Sequence, residues 1–347
     1  MARSQLDAGH FVKIACLRED DRQSDLNVWP DGSVIQFNNI AGKGYGFSPE
    51  LIKFIRQGGF DIVHLQGIWN FASLAARFVL RDTPMVVSPR GMLDPWILNR
   101  RSTIKKVSSF FVEKPLLNRS VIHALNENEK TSIKKINNSL NVFVSPNAVT
   151  IPRVVHKNKT GEDGEFIFCY LGRLHEKKGI GELLTAVDVL KKKGISSFKL
   201  GVYGWGDDTY VRSMIEMSRQ LSVDDLVSFH GPAYEAEKNA ALSQADAFIL
   251  PSYSEGLPMA VLEAASHRTR IIMTRECNLP EFFDKNAAFE ITVDPHSIAE
   301  GMSKAMNSSD VVGENAYSLV KQKYSWDAVL PDLMAGYQLA IDEVFIK

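Results

Sequence analysis

Residues 247–274 read AFILPSYSEGLPMAVLEAASHRTRIIMT. The apolar run closing at Pro251 has the composition of a buried strand, a short polar loop follows, and Pro258 stands where a first-turn helix proline belongs. A second strand is predicted at Ile271 to Thr274, so the unit reads strand, loop, helix, strand. Glu255 falls in the loop. Glu263 falls two turns later among Ala260, Val261, Leu262, Ala264 and Ala265, surroundings that ordinarily exclude a carboxylate. A carboxylate kept there needs a partner.

One such partner is a polar ligand lying along the helix start, where the amides of Gly256 and Leu257 and the helix dipole favour a phosphate. Glu255 and Glu263 would then accept hydroxyl hydrogen bonds on either side of it. The other reading is structural: Glu255 caps the helix and Glu263 closes a buried ion pair. The two carboxylates alone leave both readings open. The whole phrase SEGLPMAVLEA, behind a strand ending in Pro-Ser, resembles the glutamate pair of the large group 1 (GT4) family of retaining glycosyltransferases. That resemblance implies an α/β architecture, GT-B, with two facing Rossmann-like domains and a donor cleft between them.

At 347 residues the chain is long enough for two domains of ordinary size, and 45% hydrophobic with 23% charged residues marks a globular protein. The net charge of −1 hides an asymmetry. Residues 1–155 hold 20 Lys or Arg against 13 Asp or Glu, a net of +7, and the remainder holds 20 against 28, a net of −8. The two halves are therefore expected to meet different partners. Cys16, Cys169 and Cys277 are far apart and make no metal spacing, which fits a reducing cytoplasm. No apolar run approaches the roughly 20 residues of a membrane span, and no signal peptide opens the chain, so a cytoplasmic location is expected.

The chain opens MARSQLDAGHFVKIACL, with a helix end at Gly9 and His10 and a strand from Val12 to Leu17. The resembling family begins with a strand, a glycine-rich loop and a long helix ending in Gly-His. The first strand and glycine-rich loop of the N-terminal domain are thus expected to be missing, leaving two unpaired edges. Gly42, Gly44 and Gly46 make a loop before a helix at Pro49 to Gln57. A strand to Leu65 places His64, Gly67 and Trp69 at its carboxyl end, where open α/β sheets hold ligands. His64 is left between a strand-end structural role and a ligand contact, and Trp69 is expected in the core.

The third strand carries SPRGML, similar to a subset of bacterial polysaccharide glycosyltransferases. Where many members hold a histidine facing the donor sugar, this chain offers Ser88, Pro89 and Arg90. Arg90 suits either an oxyanion of the substrate or a structural ion pair. Residues 96–117 then set Arg100, Arg101, Lys105, Lys106 and Lys114 among Ile104, Val107, Phe110, Phe111 and Leu116. A basic helix of this kind would suit an anionic leaflet and a lipid-linked acceptor, or simply a charged face in water. No nucleic-acid module accompanies it, so no nucleic acid is expected.

The first domain is placed at 1–153, completed by the C-terminal helix at 326–347, with Trp326, Leu330, Leu333 and Tyr337 at helical spacing. The second occupies 164–325. It opens FIFCYLGRLHEKKG, in which Arg173 and Lys178 are spaced to reach one anion and Gly172 and Gly179 permit close backbone approach. This phrase resembles the family's diphosphate clamp, with Lys177 as the alternative lysine. Gly204 and Gly206 follow the next strand, again in a close-approach loop of the nucleotide-binding type. The strand VSFHG then leads to Pro232, Ala233 and Tyr234, where the family commonly cradles the base by backbone contacts; His230 and Tyr234 serve equally as loop and core residues.

The resemblance implies transfer of a sugar from a nucleotide-diphosphate donor to a glycan or lipid-linked hydroxyl acceptor, with retention. It also implies no cofactor and no metal. Arg173, Lys178 and the amides of Gly256 and Leu257 would neutralise the departing diphosphate. Glu255 would hold sugar hydroxyls and Glu263 the ribose hydroxyls. Polysaccharide or lipopolysaccharide assembly is the expected setting. The rival readings are a nucleotide-sugar epimerase on the same fold and a truncated, non-catalytic nucleotide-sugar binder. The second is prompted by the missing first strand and by Arg268 and Arg270, which replace the family's Gly and Pro after the helix; a lost helix-ending glycine costs about 1 kcal/mol where φ must be positive.

Overall fold

The computed structural model describes residues 1–18, 29–40, 45–93, 108–153 and 164–346. Arg100, Arg101, Ile104, Lys105, Lys106 and Val107 of the basic segment, Gly42 and Gly44, and most of the expected linker lie outside the described residues. Two compact units emerge: Met1–Asn147 with Val329–Lys347, and Ala148–Ala328.

In the first unit, helix α1 (Ala2–Asp7) ends as the sequence suggests, with Gly9 at φ +88° and the His10 amide closing on the Gln5 carbonyl at 3.0 Å. Strands β1 (Ile14–Leu17) and β2 (Val34–Phe37) form a parallel pair. A separate four-stranded parallel sheet runs in chain order through β3 (Val63–Gln66), β4 (Met85–Ser88), β5 (Val121–Ala124) and β6 (Val142–Val144). No strand pairing joins the two sheets among the described residues. Every residue of β4 and β5 is buried, including the polar Ser88 and His123.

Helix α2 (Pro49–Gln57) begins on its proline, and α3 (Phe71–Val79) is capped by Asn70, whose Oδ1 accepts from the Ser73 amide at 3.0 Å. Their apolar faces meet the β1–β2 pair through Phe37, Leu51, Phe71 and Ala75. The described part of the basic segment includes a π-helical turn at Ser109–Glu113 and helix α4 (Lys114–Asn118). Phe110 and Phe111 are about two-thirds exposed, whereas Leu116 is wholly buried, so these three do not share one face. Helix α5 (Glu127–Ile136) follows β5.

The C-terminal helix, Trp326–Ile346, packs Leu333, Tyr337 and Ala340 against Val86 and Val121. Its buried stripe is Val329, Leu333, Tyr337 and Ala340, one step round from the expected one; Trp326 and Leu330 are only half-buried. No helix among the described residues is long and apolar enough to cross a membrane.

The second unit is a six-stranded parallel sheet. Its strands are β7 (Phe166–Leu171), β8 (Phe198–Tyr203), β9 (Val227–Gly231), β10 (Ala247–Leu250), β11 (Arg270–Thr274) and β12 (Phe289–Ile291), in the order β12-β11-β10-β7-β8-β9. This is a doubly wound sheet whose order reverses between β7 and β10. Helices α6 (Ile180–Lys192), α7 (Asp208–Gln220), α8 (Glu235–Gln244), α9 (Met259–Ser266), α10 (Pro280–Asp284), α11 (Pro295–Met306) and α12 (Val311–Lys323) accompany it. In α6 the buried Ile180, Leu183, Leu184, Val187 and Leu190 fall at the 3–4 spacing of one helix face.

The two unexpected arginines find their reasons here. Arg268 does sit at φ +61°, the left-handed conformation that favours glycine. Its guanidinium pairs with Glu314 and lies 3.9 Å from the centre of the Tyr317 ring, both on α12. Arg270, 8% exposed, pairs with Asp310 at 2.7 Å and donates to the Ser308 carbonyl at 3.2 Å. Both side chains tie the turn after α9 to the region of α12.

Candidate functional site

In a doubly wound sheet the strand order reverses at a crevice where neighbouring loops splay to opposite faces. In the second unit that point lies between the carboxyl ends of β7 and β10. The loop after β7 is built by hydrogen bonding that outlasts the strand: the Gly172 amide donates to the Tyr203 carbonyl at 3.0 Å, and Leu174 to Trp205 at 2.7 Å. Gly204 has φ +150°, and a Cβ there would fall 1.8 Å from the Gly172 carbonyl oxygen. The close approach expected of Gly204 is therefore to the neighbouring loop of the same unit.

His175 then caps a 3-10 turn, Glu176–Lys178, with its Nδ1 accepting from the Lys177 amide at 3.2 Å. Gly179 follows at φ +67°, and a Cβ there would meet the Pro251 carbonyl oxygen at 2.2 Å. The start of α6 thus rests against the end of β10. A second tie, from the Tyr253 amide to the Lys177 carbonyl at 2.8 Å, closes the two loops together.

This closure brings Lys178 and Glu255 into contact, Nζ to Oε1 at 2.5 Å. The Ser252 hydroxyl donates to the same oxygen at 2.6 Å, and Thr274 Oγ1 donates to the Ser252 carbonyl at 2.7 Å. Glu255 is held by its backbone too, its amide donating to Glu276 at 3.0 Å and its carbonyl accepting from Asn278 Nδ2 at 2.5 Å. The Glu255 charge adds to burial in pushing the Tyr170 hydroxyl well above its ordinary pKa.

Arg173 is not drawn into this cluster. It is exposed, with its guanidinium 5.3 Å from the centre of the Trp205 ring. Lys177 contributes its carbonyl to the loop closure, so Lys178 is the lysine that meets the glutamate.

Glu263 differs from its expected setting. It lies on the edge of α9, a quarter exposed, and pairs with Lys238 of α8 at 2.8 Å. The ion pair foreseen in the structural reading is present, while the cap is not: α9 begins at Met259 with Pro258 before it at φ −77°, ψ 97°. Gly256 and Leu257 precede the helix, and Pro258 stands one residue ahead of its expected first-turn position. Tyr234, 60% exposed, precedes α8, and His230 stacks on Tyr203 with ring centres 4.4 Å apart. Sequence reasoning missed Lys238, Ser252 and Asn278. Only Ser252 had a local signal, as the serine closing the strand's Pro-Ser phrase.

In the first unit the carboxyl ends of β3, β4 and β6 carry a second polar cluster. Arg90, at φ +55°, donates through Nε to Gln66 Oε1 at 2.8 Å and through Nη1 to Asn147 Oδ1. The Glu129 carboxylate accepts from the amides of Gly91 at 2.6 Å and Leu125 at 2.8 Å. His64 is partly buried, with both ring nitrogens engaged. Its Nδ1 lies 2.7 Å from the Tyr337 hydroxyl and its Nε2 2.6 Å from Ser88 Oγ. Burial first, then the charges of His123 and Arg90, hold its pKa well below the ordinary value.

Residues 153–325 match the family model described as glycosyl transferases group 1, and residues 1–152 match glycosyltransferase family 4. The capsular polysaccharide biosynthesis glycosyltransferase CapH of Staphylococcus aureus is 22% identical over 293 residues, covering 82% of this chain and 79% of that protein. The putative colanic acid biosynthesis glycosyltransferase WcaL of Salmonella typhimurium is 28% identical over 150 residues, covering 41% of this chain and 36% of that protein. The uncharacterized glycosyltransferase MJ1607 of Methanocaldococcus jannaschii is 27% identical over 187 residues, 52% of this chain and 47% of that one. The alignments to the last two therefore span less than half of those relatives.

Among solved structures, the sucrose-phosphate synthase of Thermosynechococcus elongatus superposes with a TM-score of 0.76 at 17% identity, covering 100% of this chain and 92% of that one. Anabaena Alr3699/HepE, in complex with UDP and glucose, superposes at 0.70 with 16% identity, covering 95% and 99%.

Proposed function

Because this chain belongs to the group 1 (family 4) glycosyltransferases and has their two-domain GT-B fold, we propose that it transfers a sugar from a nucleotide-diphosphate donor to a hydroxyl acceptor with retention of configuration. The assembly of a cell-surface polysaccharide or lipopolysaccharide is the setting, as the names of CapH and WcaL suggest for those proteins. The observation that carries this reading is the Lys178–Glu255 pair at the point where the strand order of the second unit reverses.

The chemistry follows from an exchange of partners. A diphosphate arriving beside β7 offers Lys178 two negative oxygens in place of one carboxylate, and Arg173, on the same loop, adds a second cation. Glu255, released from Lys178 but still fixed by Ser252 and its backbone bonds, turns its acceptor oxygen to the hydroxyls of the sugar. As the glycosidic oxygen departs, the charge on the leaving diphosphate grows, and preorganised cations are worth most at that moment. The protein's own cations serve this role, without a bound metal or cofactor. Glu263 takes the ribose hydroxyls, with Lys238 holding one of its oxygens in place. Gly172, Gly204, Gly256, Leu257 and Tyr234 line the path of the nucleotide.

Arg90 in the first unit offers a cation to an anionic group of a substrate. The acceptor is glycan or lipid-linked, and exposed Phe110 and Phe111 beside the basic run of 96–117 provide peripheral contact with an anionic membrane on its cytoplasmic side. Co-sedimentation with vesicles containing anionic lipid tests that contact; Phe110→Ala/Phe111→Ala should lose it, and unchanged sedimentation would refute it.

The test of activity is incubation with UDP-, GDP- and ADP-glucose and a panel of sugar and lipid-linked acceptors. Release of one nucleoside diphosphate is followed by phosphorus NMR, and the anomeric coupling of the product is read by proton NMR. Acceptor-dependent release with donor configuration preserved supports the proposal. Conversion of the donor to its epimer with no transfer would refute it.

A further inference from the structure

The ends of the four-stranded sheet carry two polar rows, one above the other. The lower row runs Gln5, Tyr337, His64, Ser88, His123 and the Ser145 carbonyl, with successive contacts of 2.9, 2.7, 2.6, 2.8 and 2.7 Å. The upper row lies two residues further along three of the same chain segments: Gln66 after His64, Arg90 after Ser88, and Asn147 after Ser145.

The direction of every bond in the lower row follows from one end. A carbonyl only accepts, so His123 Nε2 carries a proton and donates to Ser145. With the imidazole neutral, His123 Nδ1 accepts from the Ser88 hydroxyl. Ser88, its single proton committed, accepts from His64 Nε2–H. His64 Nδ1 then accepts from the Tyr337 hydroxyl, which accepts in turn from the Gln5 amide. Every donor finds one acceptor. Burial keeps both imidazoles neutral, pushing His123 down to about 4, and His123 is fixed further by stacking on Phe143 at 4.9 Å with 7° between ring planes.

We infer that His64, Ser88 and His123 are positioning residues for Arg90, with Tyr337 of the C-terminal helix setting the end of the row. A directed chain across β3, β4 and β5 to the loop after β6 fixes the relative height of those strand ends. Gln66 and Asn147, two residues on, are thereby held at the spacing that grips the Arg90 guanidinium from two sides. The Arg90 backbone itself holds φ +55°, a left-handed conformation unfavourable for any residue that carries a Cβ. That Arg90 meets a substrate rests on the proposed function; its placement by this row does not.

The experiment reads Arg90 itself. In full-length protein labelled with 15N-arginine, the Arg90 Nε–H proton should give a shifted, slowly exchanging signal, assigned by its loss in Arg90→Lys. Ser88→Ala cuts the row at its centre, and exchange of that proton should accelerate at least tenfold. Ser88→Thr, which restores the hydroxyl, should restore protection. Leu51→Ala loosens the same unit in a cluster that contains no member of the row, and should leave the signal in place. An Arg90 signal equally shifted and protected in Ser88→Ala overturns the inference, as does its loss in Leu51→Ala to the same degree. Since the readout is a proton on Arg90, it is indifferent to whether any sugar is transferred. A protein that passes here yet transfers no sugar would contradict the proposed function alone.

Discussion

Lys178 Nζ lies 2.5 Å from Glu255 Oε1, so this cation and this carboxylate neutralise each other. On the proposed function, donor binding exchanges this contact for one to phosphate. Glu255→Gln removes the competing charge but keeps the acceptor oxygen. Affinity for the nucleoside diphosphate should be equal or up to about tenfold tighter, while turnover falls by about 10²-fold because sugar hydroxyls lose a charged partner. Calorimetry and initial rates on the same preparation check the split. Affinity and rate falling together would contradict it.

Arg270 is a buried cation with one carboxylate partner and several carbonyl acceptors around it. Arg270→Ala removes the guanidinium's ion pair with Asp310 and its bond to the Ser308 carbonyl, and should lower stability by about 2–3 kcal/mol. Asp310→Asn should cost less, about 1 kcal/mol, because the aspartate is 40% exposed. Urea denaturation midpoints measure both.

Arg268 offers a test of strain against contact. Glycine at this position relieves about 1 kcal/mol of left-handed strain but gives up the Tyr317 ring and Glu314. Those losses nearly offset the gain, so Arg268→Gly should lie within about 1 kcal/mol of the parent chain. Alanine keeps the strain and loses both contacts. Arg268→Ala should therefore be the less stable of the two, by about 1 kcal/mol, in paired denaturation curves. The reverse order would show that strain does not matter there.

Acid should loosen the first unit. His64 is depressed well below its ordinary pKa, and His123 is held at about 4, in each case chiefly by burial. Between roughly pH 6.5 and 4 the unfolded imidazoles bind protons that the folded ones do not, so stability is complete above pH 6.5 and falls as pH drops. Each imidazole contributes up to about 1.4 kcal/mol per pH unit across its window. His123→Gln should flatten the slope of stability against pH by about one proton, although it lowers stability at pH 7. An unchanged slope in urea titrations from pH 7 to 4.5 would contradict the assignment.

Much of this was legible in the sequence because apolar runs and glycines act locally. The run Phe248 to Leu250 before Pro251 marks a buried strand by itself, and Arg268 stands where the family's helix-ending glycine gave the cue for a positive φ. What escaped was tertiary. Lys238 reaches Glu263 from the preceding helix, 25 residues away in the chain. Gly204 reads in the sequence as a close-approach loop of the nucleotide-binding type, and only the loop geometry shows that the Gly172 carbonyl is its near neighbour. The role of His64 depends on Tyr337, 273 residues distant, returning on the last helix. No periodicity encodes such a meeting.

The central claim is that the ends of β7 and β10 form a donor site in which Lys178 receives the diphosphate. The most direct measurement is calorimetric titration of the whole chain with UDP, GDP and ADP, repeated on Lys178→Ala, with folding of the variant verified by circular dichroism. One nucleoside diphosphate should bind, and Lys178→Ala should weaken it at least tenfold. A folded parent chain that binds none of the three, or a Lys178→Ala variant that binds as tightly as the parent, would contradict the claim.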